Sequence, residues 1–440
     1  MKFHAVLLSV ILSLSFVGNV QSQDRDLANI GSFYSSFGIG APADVYSPGT
    51  MGMGLTGVSN YSSYTPNISN PAHWGLTSYT QGNVSLALTN YYASDNTFSA
   101  RNSLLGVESF QITVPVDRNR FGLSMSFSPV SRSDYQKFGG GEFTPAPGLS
   151  LSSVEYETNT SGHGGVNRFE LGTGYRPFSF LSIGYGFSAN LLSLQQEVLT
   201  AFPSNSPYNS TVFDRAIEGY GFGHRFGIFT NFSGIFSSSD QISIGATVNL
   251  PVSIDADESV TLFQQVEGQS VRVELNENAP DRKGSIQLPM EFNAGLTYNL
   301  NRFSNFTAEF QLQNWSDSDF SYSQTQQSYY KDRLRAGMGL QFHPYRAEQP
   351  GGFFSNFKYS VGTTYDTGHL SIQNQNIETL FLNAGIGLFS PRSTSQSSVD
   401  LSFHYGIRGT HSTNLVKENI WGFKLSLNLA EFMFIQTRFQ

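Results

Sequence analysis

The stretch Met290-Glu291-Phe292-Asn293-Ala294-Gly295-Leu296-Thr297-Tyr298-Asn299-Leu300 decides the fold class. Its even positions are apolar or aromatic, and its odd positions are polar or glycine. Successive side chains of a strand point to opposite faces, so this segment is a strand with one greasy face and one wet face. The same stripe recurs in both directions from it. Period-two runs lie near 84–88, 110–116, 121–127, 169–175, 181–191, 226–232 and 242–250, then 306–312, 334–342, 357–365, 382–388, 399–407 and 421–429. That makes about fourteen strands, an even number, each long enough to cross a bilayer at a tilt.

The links between the stripes alternate in length. They are short at 117–120, 176–177 and 237–240, and long across about 131–165, 193–220 and 253–284. Short turns on one side and long loops on the other are the pattern of an outer-membrane barrel, with the short turns periplasmic. A soluble β-sandwich also alternates, but its solvent face is rich in Lys and Glu. Here the second face is Gly, Ser, Asn, Thr and Gln, and charged residues are only 13% of the chain. The expected fold is therefore all-β, a transmembrane antiparallel barrel spanning 81–430. Parity places the loops outside the cell and both termini in the periplasm.

Residues 1–22 read as a secretory signal peptide: Lys2, an apolar run from Ala5 to Val17, then a small-residue exit at Val20-Gln21-Ser22. No other apolar run approaches the length of a spanning helix. The chain has no cysteine, which excludes disulfides, thiolate chemistry, Cys-ligated metals and a lipoprotein anchor. A net charge of −8 argues against nucleic acid as a partner. No cofactor or metal is expected, because the eight His are scattered without ligand spacing. Gly52-Met53-Gly54-Leu55-Thr56-Gly57 matches a dinucleotide-binding pattern by chance, since it follows no strand and opens no helix. The acidic run Asp255-Ala256-Asp257-Glu258 reads as a solvated loop, and 431–440 either extends the last strand or forms a periplasmic tail.

Between the signal peptide and the first strand, residues 23–80 show no convincing strand but are rich in Gly and aromatics. A barrel of about fourteen strands is too wide for its own side chains to fill. A pre-barrel segment of this size suits a plug, or hatch, folded back into the lumen. Three pieces here, Tyr34–Gly40, Met51–Val58 with Gly52, Gly54 and Gly57, and Asn70-Pro71-Ala72, resemble the FadL/TodX-type family of outer-membrane transporters of hydrophobic compounds. Leu288-Pro289 before the Met290 stripe, Asn314-Trp315-Ser316 and Arg333–Pro344 also match in order and placement. The resemblance implies a fourteen-stranded barrel with an N-terminal hatch, passive uptake of long-chain fatty acids or hydrocarbons, and sideways exit at a kinked third strand. In this chain that strand is Arg120–Pro129, where Pro129 cannot donate a ladder bond. The stretch between Gly40 and Met51 is longer than the family pattern.

Parity directs a set of charges into the lumen: Glu170, Arg176, Arg225, Glu291, Glu309, Arg335, Asp400, His404, Arg408 and Lys424. Buried charges must be paired or hydrated, so these brace the wall and hold the hatch, with Arg335 and Arg408 the best suited to grip a carboxylate. Phe33, Phe37, Phe143, Leu149, Phe202 and Phe213 are candidates for an apolar ligand site. The expected partners are membrane lipid, lipopolysaccharide and a hydrophobic small molecule, with the chain acting as a monomer and not as an enzyme. The competing function is an outer-membrane anchor or shuttle of a protein secretion system.

Overall fold

The computed structural model describes residues 30–97, 99–144, 153–203, 206, 208–266, 269–273, 282–319, 329–344, 352–389, 397–411 and 415–432. The expected signal peptide, the candidate Leu149 and nearly all of the 431–440 tail lie outside them.

A closed barrel of 14 antiparallel strands forms the body of the molecule. In chain order they are β1 (Thr80–Ser94), β2 (Ser99–Asp117), β3 (Phe121–Arg132), β4 (Val154–Phe178), β5 (Leu181–Ala201) and β6 (Thr211–Ser233). Next come β7 (Gln241–Asn249, resuming as Val252–Val266) and β8 (Arg282–Leu288, resuming as Glu291–Asn299). The ring is completed by β9 (Ser304–Gln313), β10 (Arg333–Phe342), β11 (Phe357–Asp366), β12 (Thr379–Phe389), β13 (Ser398–Arg408) and β14 (Lys417–Glu431). Strands β1 and β14 pair from Thr80↔Glu431 to Ser94↔Lys417, which closes the ring. The breaks in β7 and β8 fall at Pro251 and Pro289, residues that cannot donate to a ladder.

The opening stripe is placed as its pattern requires. Leu296 and Leu300 are 39% and 45% exposed on the outer face, while Asn293 and Thr297 are 7% and 2% exposed on the inner one. Three links read from the sequence as loops, 131–165, 193–220 and 253–284, are largely strand. Strands β4, β5, β6 and β7 continue past the apolar stripe as polar extensions such as Gln195-Gln196-Glu197. Their apolar residues point inward instead, Leu192, Leu194, Ile217, Val252, Ile254 and Ala256 joining one buried cluster, so the outward stripe that marks the rest of the wall is missing. The acidic run Asp255–Glu258 belongs to one of these extensions, with Glu258 paired to Arg215.

Residues 30–79 run through the lumen and hold many of the most deeply buried apolar side chains, among them Tyr34, Ile39, Met53, Leu55, Val58 and Trp74. The core of this protein therefore sits inside the barrel, between the segment and the polar inner wall. The segment contains three 3-10 turns, Phe33–Ser36, Met51–Met53 and Pro71–Leu76, and a two-residue strand, Ala41–Pro42.

Candidate functional site

The wall is incomplete at one place. Strands β2 and β3 pair only from Asp117↔Phe121 to Phe110↔Phe127, although β2 begins at Ser99 and β3 continues to Arg132. Pro129, with no N–H, lies just past the last pair, and the β3–β4 register shifts between Pro129 and Ser131. Backbone groups at membrane depth need partners, because lipid offers none. The inner segment supplies several. Ala41 and Pro42 pair with Arg132 and Ser131, and Ala43 N donates to Val130 O at 2.9 Å. Ile30 N donates to Ser103 O at 3.3 Å, and Gly31 N to Asp134 O at 2.9 Å. Arg132 reaches across the gap to the Val107 carbonyl. The gap is stitched by the inner segment together with the Arg132 side chain.

Three further anchors fix that segment. Gly54 has φ +70, and a Cβ there would stand 2.2 Å from the Asn383 amide, so only glycine fits the turn. Its carbonyl accepts from Arg335 Nη2 at 2.8 Å and Thr364 Oγ1 at 3.0 Å. Gly52 sits so close to Gly385 that a Cβ would meet the Gly385 Cα at 2.8 Å. Gly57 N and Thr56 Oγ1 donate to the Glu309 carboxylate at 3.1 and 2.8 Å. In Asn70-Pro71-Ala72, the Asn70 side chain caps the 3-10 turn by accepting from Ala72 N at 3.0 Å. Its Nδ2 also donates to Val58 O and, on β6, to Ile228 O at 3.0 Å. Pro71 occupies the first helical position, where its missing N–H costs nothing.

The lumenal charges divide into two sets. Arg225 pairs with Glu170 and donates to Ser69 O, Glu309 holds Thr56 and Gly57, Arg335 holds Gly54 and the Tyr46 hydroxyl, and Arg408 donates to Ser32 Oγ at 3.1 Å. These four touch the inner segment. Glu291 instead binds the wall amides of Asn249, Asn293 and Gln313, and Asp400 binds Lys358 at 2.6 Å and Asn428. His404 and Lys424 also face the lumen. Arg176 is half-buried near the short-turn end of β4 and donates to Ser179 O.

Sequence reasoning missed the strongest charge cluster. Arg333 Nη2 donates to Asp44 at 2.8 Å and to Asp366 at 2.5 Å, and Arg335 Nε lies 3.6 Å from Asp44. Burial pushes the Asp44 carboxyl up, but Arg333 and Arg335 outweigh it and hold Asp44 well below the usual carboxylate range. Arg333 shares a strand face with Arg335, so alternation could have found it. Asp44 lies in the extended Gly40–Met51 stretch, and only that departure marked it. Glu418, fully buried beneath Ser32 and Arg408, and Glu108, paired to Lys424, were also missed.

Two cavities flank Ala43-Asp44-Val45. The first, of about 160 Å3, reaches the gap at Leu104, Gly106, Pro129 and Arg132. By size it would accept a small aromatic molecule, since an apolar cavity of about 150 Å3 binds benzene. Its lining, however, also includes Asp44, Glu108, Asp134, Arg408 and Lys424. The second, of about 90 Å3, lies against β7, β8 and β9. The candidate aromatics line neither and are not gathered into one site. Phe33 and Phe37 flank the Lys137 ammonium at 4.4 and 5.0 Å. Phe143 and Phe202 pack on Tyr208 at 5.2 and 5.4 Å, and Phe213 sits in β6 opposite Val198 and Leu262.

Fourteen antiparallel strands closed into a ring, the segment before the first strand bonded to the polar inner face, and a ladder gap beside the third strand make up the architecture of a FadL-type barrel. Solved structures agree at the level of fold. The Pseudomonas putida toluene transporter TodX superposes with a TM-score of 0.55 at 15% identity, over 90% of this chain and 100% of that one. The Ralstonia pickettii toluene transporter TbuX gives 0.54 at 14% identity, over 89% and 99%. A Pseudomonas aeruginosa FadL homologue gives 0.55 at 11% identity, over 90% and 99%. No curated protein sequence matches. The chain belongs to the BamG family, whose model matches residues 4–440.

Proposed function

We propose that this chain is a non-enzymatic outer-membrane channel for small hydrophobic compounds, which leave the lumen sideways between β2 and β3. In this reading residues 30–79 are the hatch. The long-loop rim faces the outside, the short turns and both termini lie in the periplasm, and the outer apolar stripe meets lipid and lipopolysaccharide. The observation that carries it is that Leu104, Gly106, Pro129 and Arg132 of the ladder gap line the 160 Å3 cavity beside Ala41–Tyr46 of the hatch. The printed names of TodX and TbuX as toluene transporters support the substrate class. Passage requires Ala41–Ala43 to leave the β3 edge, so that flow follows the compound's own concentration gradient.

The chain has no cysteine, which allows a clean test. Pro42 and Ser131 are register partners, and such pairs have Cα separations suited to a disulfide. Cells carrying the Pro42→Cys/Ser131→Cys protein should take up labelled toluene when reduced and lose that uptake on oxidation. Uptake that ignores the crosslink, or that matches cells lacking the gene across a panel of aromatics and fatty acids, removes the reading. A second reading, a plugged barrel that anchors other envelope proteins, is favoured by the charges lining both cavities, which leave no apolar path while the hatch is in place. It predicts stable co-purification of envelope proteins with no uptake phenotype.

A further inference from the structure

The smaller cavity carries a chemistry that lateral passage does not use. Glu291 accepts from Asn249 Nδ2 at 2.9 Å, Asn293 Nδ2 at 2.8 Å and Gln313 Nε2 at 2.5 Å. An ionised carboxylate only accepts, so the amide N–H groups must face it and the network fixes their orientation. The amide oxygens of Asn249 and Asn293 therefore turn away from Glu291. Asn249 Oδ1, Asn293 Oδ1 and Gln311 Oε1 have no hydrogen-bond partner among the described residues. Their side chains are 7%, 7% and 8% exposed, and all three line the 90 Å3 cavity. Asn249 lies opposite Glu291 and Asn293 opposite Gln311 in the ladder, so the acceptors form one patch on the inner face. The lining also includes Val130, Val252, Leu288 and Trp315, which belong to one apolar cluster.

We propose that this cavity binds a short alkylammonium ion. An ammonium group has three N–H donors and no acceptor, which matches three buried carbonyl oxygens. Glu291 supplies the countercharge, since it makes no ion pair among the described residues. Of the other charges at the cavity, Glu170 is paired with Arg225 and Asp44 with Arg333, while the buried Arg168 guanidinium donates to the neutral Asn190 amide oxygen at 3.2 Å and lies within electrostatic reach of Glu291, so an ammonium ion competes with it for that charge. The apolar wall receives the alkyl end. The volume, well under that of a benzene-binding cavity, sets its length at about two or three carbons. The site stands whether or not toluene passes through the barrel, because its occupant is read from the acceptor patch and not from the gap.

Calorimetry on the purified full chain in detergent tests it with propylammonium as the probe. Saturable binding is expected, at least about tenfold tighter than for 1-propanol, tetramethylammonium or potassium, because each comparator lacks the charge, the N–H donors or the apolar body. Asn293→Leu and Gln311→Leu should each weaken propylammonium about tenfold while the barrel stays heat-modifiable. Absence of saturable binding, or equal affinity for tetramethylammonium or potassium, overturns the proposal. Should both variants misfold, the ligand series on the unaltered protein still decides it.

Discussion

The inner segment is held by two unlike halves. Around Asn70–Leu76 it is fixed by neutral, close contacts: the Asn70 cap, Trp74 Nε1 donating to Asn67 O at 2.8 Å, and Ser182 Oγ donating to Ala72 O at 2.6 Å. His73 there is 3% exposed and packs edge-on to Phe229 at 4.5 Å. Around Ala41–Tyr46 it is fixed by an edge pairing and by the Asp44–Arg333–Asp366 cluster, with a cavity on either side. Neutral close packing resists motion because any displacement opens voids and unpairs buried donors. A charged strap bordered by a cavity on either side has room to shift and groups that water can solvate, so under the proposed function it is the half expected to move.

The largest expected effect removes the distinction altogether. Deleting 23–72 should turn a low-conductance protein into an open pore in planar bilayers, since a barrel of fourteen strands is not filled by its own side chains. Unchanged conductance would place the segment outside the lumen. Next in size, Asp44→Ala leaves Arg335 short of a buried partner and should cost about 3 kcal/mol. Hydrogen exchange should then show the backbone of 41–43 opening, with conductance bursts, while 70–76 stays protected. Equal protection in both halves would break the comparison. Asn70→Ala should cost about 2 kcal/mol through the lost cap and two lost donors, lowering the unfolding midpoint without any leak.

The smallest effect separates the halves by pH. Burial pushes the His73 imidazole down to about 3 from an ordinary 6.5. Between those values the undocked segment takes up a proton and the docked one does not. Docking of the Asn70–Leu76 half therefore weakens as pH falls below 6.5, by up to about 1.4 kcal/mol per pH unit. Asp44 behaves oppositely in timing: its depressed carboxyl keeps its contribution above the ordinary value of 3.8 and loses it only as pH falls through the lower folded value. Hydrogen exchange at pH 5 should thus loosen 70–76 before 41–46, and His73→Phe should abolish the difference. A strap that loosens first at pH 5 contradicts this assignment.

Much of the wall was legible because a bilayer imposes a period of two. Leu296, Phe310, Leu340 and Leu382 read correctly as outward because lipid demands apolar contact at every second residue. Gln195 and Thr158 read as loop because the outward face there is polar and the apolar residues, such as Leu194 and Ile217, turn inward. The buried charges Glu170, Arg225, Glu309, Arg335 and Asp400 follow the same alternation. Asp44 does not, since an irregular segment has no period to read.

The sequence by itself determined the barrel, its strand number and which side chains face lipid, because those depend on local alternation against a uniform solvent. It also marked out the segment before the first strand, through glycines and an Asn-Pro-Ala cap whose roles are local. Only the tertiary structure decided that Ala41–Ala43 closes the gap between β2 and β3, and that Asp44 is clasped by arginines of β10. It also turned three amide oxygens into one small cavity. These contacts join residues tens to hundreds of positions apart through space that no strand period describes, so they are set by how the ring closes around its own first segment.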